Sequence, residues 1–371
     1  MEHIISDIWD PNKGSEFRVL NKFFKQITPN NKKIIVHTLF RNNKTSINEF
    51  LNENKIKNIV IIKFYKMLLA DKHFNHSNKF IFLIECFLLY LRIKINTKNK
   101  ISFIKIGQVH WVYNFLALII LNIKIVLPIS GFAFVKLNRI NQLLYILKTN
   151  ILVFFGRFLS FFLIFSRARF FAATNDDVRW INFLGISCNR YSEVQIIDQS
   201  LSSFPKNFFD IYWSGALIER KSIKTLLNIW SNVDKKFSLT IYGSGPLEKL
   251  VTNKIRLFNN IKHVKELKRS EFINKAMSHD LYIITSLREI NSVAFYEAVQ
   301  MNKIIFTRSV GGIKDFKIPG VYFFNDENEL FFLLKKYKTN RHDFTFSNNT
   351  RNKYLDSLKV SEIEIIKKIW I

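Results

Sequence analysis

The sequence predicts an α/β protein of two domains, each a parallel sheet flanked by helices. Short apolar runs with strand character alternate with helical patterns along the chain, the sequence mark of βαβ units. Its 371 residues suit two domains of ordinary size, each able to bury its own core. The boundary falls where SLSSFPKN, residues 200–207, breaks the apolar periodicity. The expected division is 1–205, 206–355 and a terminal helical segment over 356–371.

In the first domain HIISDIW, KKIIVHTLF, KNIVIIKF, ISFIKIGQVHWV and NIKIVLPISG read as strands. Helical patterns lie between them, at RVLNKFFKQI, at Phe80–Leu91 and after Trp111. RFFAATNDDVRWINFLGI reads as the last strand and helix of this domain, with Asp176 and Asp177 capping that helix rather than binding metal. In the second domain FDIYWSGALI is the first strand. Helix Lys221–Val233, strand FSLTIYGSG, helix Pro246–Phe258, strand NIKHVKEL and helix Ser270–His279 follow.

Composition limits the function classes. Hydrophobic residues make up 48% and charged residues 23%, which is globular and not disordered. The two cysteines, Cys86 and Cys188, form no metal or disulfide framework and read as small buried hydrophobes in a reducing compartment. The start, MEHIISDIWD, has no secretory character, so a cytoplasmic location is expected. The longest apolar run, Ile151–Phe165, is interrupted by Gly156 and Arg157 and is shorter than the ~20 residues a spanning helix needs. With Arg167 and Arg169 it suits either a membrane interface or a buried helix. The net charge of +27 favours anionic partners, although the same excess of Lys, Asn, Ile and Phe is what a strongly AT-rich genome produces without selection for charge. Lysines are scattered rather than clustered, which weighs against nucleic acid and suits an anionic membrane surface equally well.

The densest chemistry lies in DLYIITSLREINSVAFYEAVQMNKIIFTRSVGGIKD, residues 280–315. A strand-like run ends in a polar turn with Glu289. A helical pattern begins near Ser292 and carries Glu297, and a second strand leads to Gly311 and Gly312. This is a βαβ unit with a ligand site expected at the carboxyl end of its first strand. The glutamates are eight positions apart, one on a loop and one on a helix, so they can reach different parts of one ligand.

This segment resembles the E-x7-E signature of the retaining nucleotide-sugar glycosyltransferases of family 4, in particular those of bacterial surface-polysaccharide synthesis. The resemblance implies the GT-B architecture, two Rossmann-like domains facing across a cleft. It also implies that Glu289 lies beside the donor sugar and that Glu297 binds the nucleotide ribose. Where the family usually has glycines, this chain has Ile290 and Ser292; Asn291, Ser292 and Val293 open the helix, whose N–H groups suit a phosphate. SGALIERKSIKTLL is similar to the family's donor-diphosphate element, which gives Gly215 the turn and Arg220 and Lys221 the leaving diphosphate. Ala216 stands where the family often has arginine, and Ser222 where it has glycine. IYGSGPL, with Gly243, is similar to a further glycine turn of the family. In the first domain Gly14 and Ser15 resemble its opening GSE loop, and His110 stands where a donor or acceptor contact is implied.

The implied reaction moves a sugar from a nucleotide-diphosphate donor to a glycan or polyprenyl-diphosphate-linked acceptor, with no metal or other cofactor. It would take place at the inner face of the cell membrane, with the enzyme peripherally attached. The alternatives are a basic nucleic-acid-associated protein on Rossmann domains, and a non-catalytic relative of the transferases.

Overall fold

In a computed structural model, residues 2–9, 33–40, 60–66, 79–98, 101–106, 111–129, 168–191, 209–265, 267, 269–289, 292–357 and 364 are described. The chain divides into two compact units, residues 1–193 with 362–371, and residues 194–361.

The first unit contains strands β1 (Glu2–Trp9), β2 (Ile34–Phe40) and β3 (Val60–Lys66), then helix α1 (Lys79–Thr97). Next come β4 (Phe103–Ile106), α2 (Trp111–Ile120), β5 (Ile123–Ile129), β6 (Arg169–Ala172), α3 (Asn175–Phe183) and β7 (Cys188–Arg190). The sheet is parallel, in the order β3-β2-β1-β4-β5-β6-β7. Ile5, Phe103, Val126 and Phe170 pack with Phe82, Leu89 and Ile93 of α1, so apolar strands are covered by an apolar helix face.

Two readings of this unit are corrected. RFFA and its helix do not end the sheet, because β7 follows and pairs with β6; CNR is too short and polar for periodicity to mark it as a strand. The strand read through QVHWV stops at Ile106, and Trp111 already begins α2. Thr174 is the N-cap of α3: its Oγ1 accepts the Asp177 N–H over 3.0 Å and donates to Asp177 Oδ2 over 2.7 Å. Asp177 thus completes the cap instead of forming it. Cys86 and Cys188 are both free and buried.

The second unit contains β8 (Asp210–Ser214), α4 (Ile223–Ile229), β9 (Ser238–Tyr242), α5 (Glu248–Ile255), β10 (Ile261–Val264) and α6 (Arg269–Met277). It continues with β11 (Leu281–Ile284), α7 (Val293–Gln300), β12 (Ile304–Arg308), β13 (Val321–Phe324) and α8 (Glu327–Thr339). Its parallel sheet runs β10-β9-β8-β11-β12-β13. Alternation along β8 fills both faces: Ile211 and Trp213 join one core with Leu226, Trp230 and Phe306, while Tyr212 joins the other with Tyr282, Phe295 and Val299. Full burial of each such side chain stabilises by about 1.5–3 kcal/mol.

This strand order is the doubly wound one, and it reverses between β8 and β11. At that reversal the loops leaving two neighbouring strands diverge to opposite faces. In doubly wound sheets ligands bind outside the carboxyl ends of the strands at this reversal, and the candidate residues lie there.

Candidate functional site

The site begins with two glycine turns. Gly215 follows β8 and its N–H donates to Tyr242 O over 3.0 Å. Gly243 follows β9 with φ +137°, and a Cβ built there would lie 2.0 Å from Gly215 O. Only glycine fits, so two turns far apart in sequence share one backbone contact. Leu217 N–H to Ser244 O and Leu247 N–H to Leu217 O, both 2.9 Å, continue the seam.

Beyond Gly215 the chain does not enter a helix at Lys221, as the apolar pattern suggested. Glu219–Lys221 form a short 3-10 turn, Ser222 takes left-handed angles (φ 49°, ψ 44°), and α4 begins at Ile223. Arg220 and Lys221 therefore stand on a kinked turn before the helix. The turn is held by the loop after β11: Leu287 N–H donates to Arg220 O over 2.9 Å and Thr285 Oγ1 to Lys221 O over 2.8 Å. Trp213 Nε1 in turn donates to Thr285 Oγ1 over 3.0 Å.

The side chains close the same junction. Lys221 Nζ donates to Glu289 Oε1 in an ion pair. Arg220 Nη1 donates to Arg288 O over 2.8 Å and lies 3.8 Å from Glu289 Oε2. The Glu289 side chain is 6% exposed, that of Lys221 19% and that of Arg220 47%. A shielded carboxylate thus faces two cations that still reach solvent, leaving positive charge available to an anion.

Ser292 caps α7, its Oγ accepting the Phe295 N–H over 3.3 Å, so the hydroxyl is engaged in starting the helix. Val293 is the first residue of α7, and Glu297 lies buried in its second turn. Both carboxylates act on Tyr282: burial raises its phenol pKa, a bond from Ser214 lowers it, and the charges of Glu289 and Glu297 raise it. The Glu297 charge also reaches Tyr212, whose pKa is raised first by burial.

The fold therefore brings Arg220, Lys221, Glu289, Gly215 and Gly243 together, with Glu297 on the adjoining helix. Asn291, Gly14, Ser15 and His110 lie outside the described residues, as does the boundary segment 200–207. Sequence reasoning missed the supports. Arg308, at the end of β12, donates to Thr285 O (3.1 Å), Asn325 O (2.6 Å) and Thr225 Oγ1 (3.3 Å), tying the β11 loop to α4. Burial lowers its pKa, with Glu327 and Asp326 opposing. The signal was an arginine closing an apolar strand, visible but ambiguous. Thr285 and Trp213 gave none. Among the described residues no group of three or more His, Cys, Asp or Glu is placed to hold a metal ion, and no helix is long and apolar enough to cross a membrane.

Residues 196–341 match the family model Glycosyl transferases group 1. That span contains both glycine turns, the basic pair and both glutamates. The fold is GT-B. Anabaena HepE in complex with UDP and glucose is similar at TM-score 0.67 and 13% identity, over 100% of this chain and 99% of that one. Sucrose-phosphate synthase from Thermosynechococcus elongatus is similar at TM-score 0.70 and 10% identity, over 100% and 99%. The lipopolysaccharide outer core galactosyltransferase WaaB, in its apo form, is similar at TM-score 0.64 and 13% identity, over 99% and 100%. By sequence alone no curated protein matches.

Proposed function

We propose that the protein is a retaining glycosyltransferase of family 4 that moves a sugar from a nucleotide-diphosphate donor to a glycan acceptor. The observation that carries this is the convergence of Lys221 and Arg220 on Glu289 at the reversal of strand order, inside a segment matching a glycosyltransferase model. Residues 206–355 bind the donor and residues 1–205 the acceptor. Arg220 and Lys221 stabilise charge on the departing diphosphate, a role for which preorganised cations are effective. Glu289 orients the sugar and Glu297 holds the ribose. The bond from the anomeric carbon to the diphosphate breaks while a bond to the acceptor oxygen forms on the same face. The acceptor proton passes to the released diphosphate oxygen, and protein cations take the place of a divalent metal.

The acceptor is a lipid-linked glycan of O-antigen or capsule assembly, met at the inner membrane face. The similarity to a lipopolysaccharide galactosyltransferase and the +27 net charge support that reading, the charge by favouring an anionic surface. A thermal-shift screen of UDP-, GDP-, ADP- and CDP-sugars tests the donor step, since a ligand that binds only the folded chain raises Tm. One class should stabilise and the others should not; no shift with any of them would overturn the reading. The anomeric configuration of the product, read by NMR, tests retention.

A further inference from the structure

Tyr282, in β11, is 2% exposed and carries no role in the chemistry above. Its ring stacks on that of Tyr212, its register partner in β8, with centroids 4.4 Å apart and planes at 16°. Ser214 Oγ donates to Tyr282 Oη over 3.0 Å. Tyr282 Oη, as donor, lies 3.4 Å from Ser214 O, longer than a good O–H···O bond. Ser214 is the last residue of β8, and Gly215 follows it. A Cβ at Gly215 would lie 3.7 Å and 3.8 Å from the Cδ and Cε of Lys221, so this turn lies against the stem that carries the ammonium to Glu289. Three contacts join residues 68 apart between the same two segments: Ser214 with Tyr282, Arg220 with Arg288, and Lys221 with Glu289. The first is the innermost. Tyr212 differs, because its hydroxyl is buried without a hydrogen-bond partner among the described residues.

We propose that Tyr282 is a positioning residue of this site: through the Ser214 hydroxyl it fixes the Gly215 turn against Lys221, and so sets where a bound diphosphate meets the cation. The inference rests on the donor-site reading. It concerns a residue pair, tyrosine at 282 and serine at 214, that touches no reacting atom.

The test measures the dissociation constant of UDP, with GDP, ADP and CDP as alternatives, by calorimetry on the full chain well below Tm. The wild type is compared with Tyr282→Phe, Ser214→Ala, the double variant and Tyr212→Phe. Tyr282→Phe and Ser214→Ala should each weaken the diphosphate that the wild type binds by about 3- to 10-fold, the span of one hydrogen bond. The double variant should be no weaker than either single one, because both remove the same bond. Tyr212→Phe should bind as the wild type does, although it alters the same stack. A purely structural Tyr282 would lower Tm and leave the dissociation constant unchanged, which overturns the proposal, as would additive losses. If the wild type binds none of the four diphosphates, the donor-site reading falls and the proposal with it. Wild-type binding with an unaffected Tyr282→Phe removes the proposal alone. Should one of the two single variants fold poorly, the other, which removes the same bond from the opposite side, gives the same comparison.

Discussion

Gly243 lies so close to Gly215 that a Cβ at 243 would be 2.0 Å from the Gly215 carbonyl oxygen. The contact joins the turns after β9 and β8, and both turns precede elements of the site. Gly243→Ala should therefore cost about 2 kcal/mol or more, from φ +137° and from the overlap with backbone that cannot rotate away. Denaturant unfolding checks this; unchanged stability would mean that the turns do not touch.

The Lys221–Glu289 pair predicts unequal effects of its two halves. Glu289 is the more buried partner, 6% exposed against 19%. Lys221→Met strands a shielded carboxylate that, among the described residues, keeps only Arg220 as an ion-pair partner, whereas Glu289→Gln leaves an ammonium that can reach water. Lys221→Met should be the less stable variant, by about 1–3 kcal/mol. Both should lower turnover by about 10²-fold or more if the cation meets developing charge. Steady-state rates alongside melting curves separate the two effects; full activity in both variants would reject the assignment.

Ser222 has φ 49° and ψ 44°, a conformation costing a side-chain-bearing residue about 1–2 kcal/mol. Ser222→Gly relieves this strain and loses a hydroxyl contact with Thr225 Oγ1 at 3.0 Å. A net gain of roughly 0.5–1 kcal/mol is expected, read as a raised denaturation midpoint. A lowered midpoint would show that the hydroxyl contact outweighs the strain.

His279 is buried, its Nε2 2.9 Å from Tyr242 Oη, and its pKa is lowered from 6.5 to about 4. Burial is the main cause, Lys303 adds to it, and Asp210 opposes. The unfolded chain therefore binds a proton on this ring more readily than the folded chain does. The stabilising contribution is complete above pH 6.5 and is lost as pH falls toward about 4. His37, lowered to about 4 by burial, His3 and Lys63, acts in the same direction in the first unit. Stability should fall across that window, and His279→Gln should flatten the part belonging to the second unit. An unchanged slope would show that His279 is not the group responsible.

Much of this architecture was legible in one chain. KIIFT, LYII and FSLTIY have the apolar, β-branched character of strands buried on both faces, and they form β12, β11 and β9. The spacing of Glu289 and Glu297 placed one on a loop and the other on α7, because Ser292 carries a capping signal that needs only local chemistry. Helix start and strand identity are short-range properties, and side-chain pattern encodes them.

What local pattern left undetermined came from contacts across the sheet. Lys221 reads as the first residue of a helix, yet the bonds from Thr285 and Leu287 hold its turn apart and force Ser222 into left-handed angles. Gly215 and Gly243 each read as a turn similar to the family's glycine turns, and only the pairing of β8 with β9 makes each the wall of the other. The amino-acid order alone determined which residues carry charge, and that Glu289 stands on a loop and Glu297 on a helix. The tertiary structure decided that Lys221 meets Glu289 and that Tyr282 meets Ser214, because the winding of the sheet sets β8 beside β11 across 68 residues of chain.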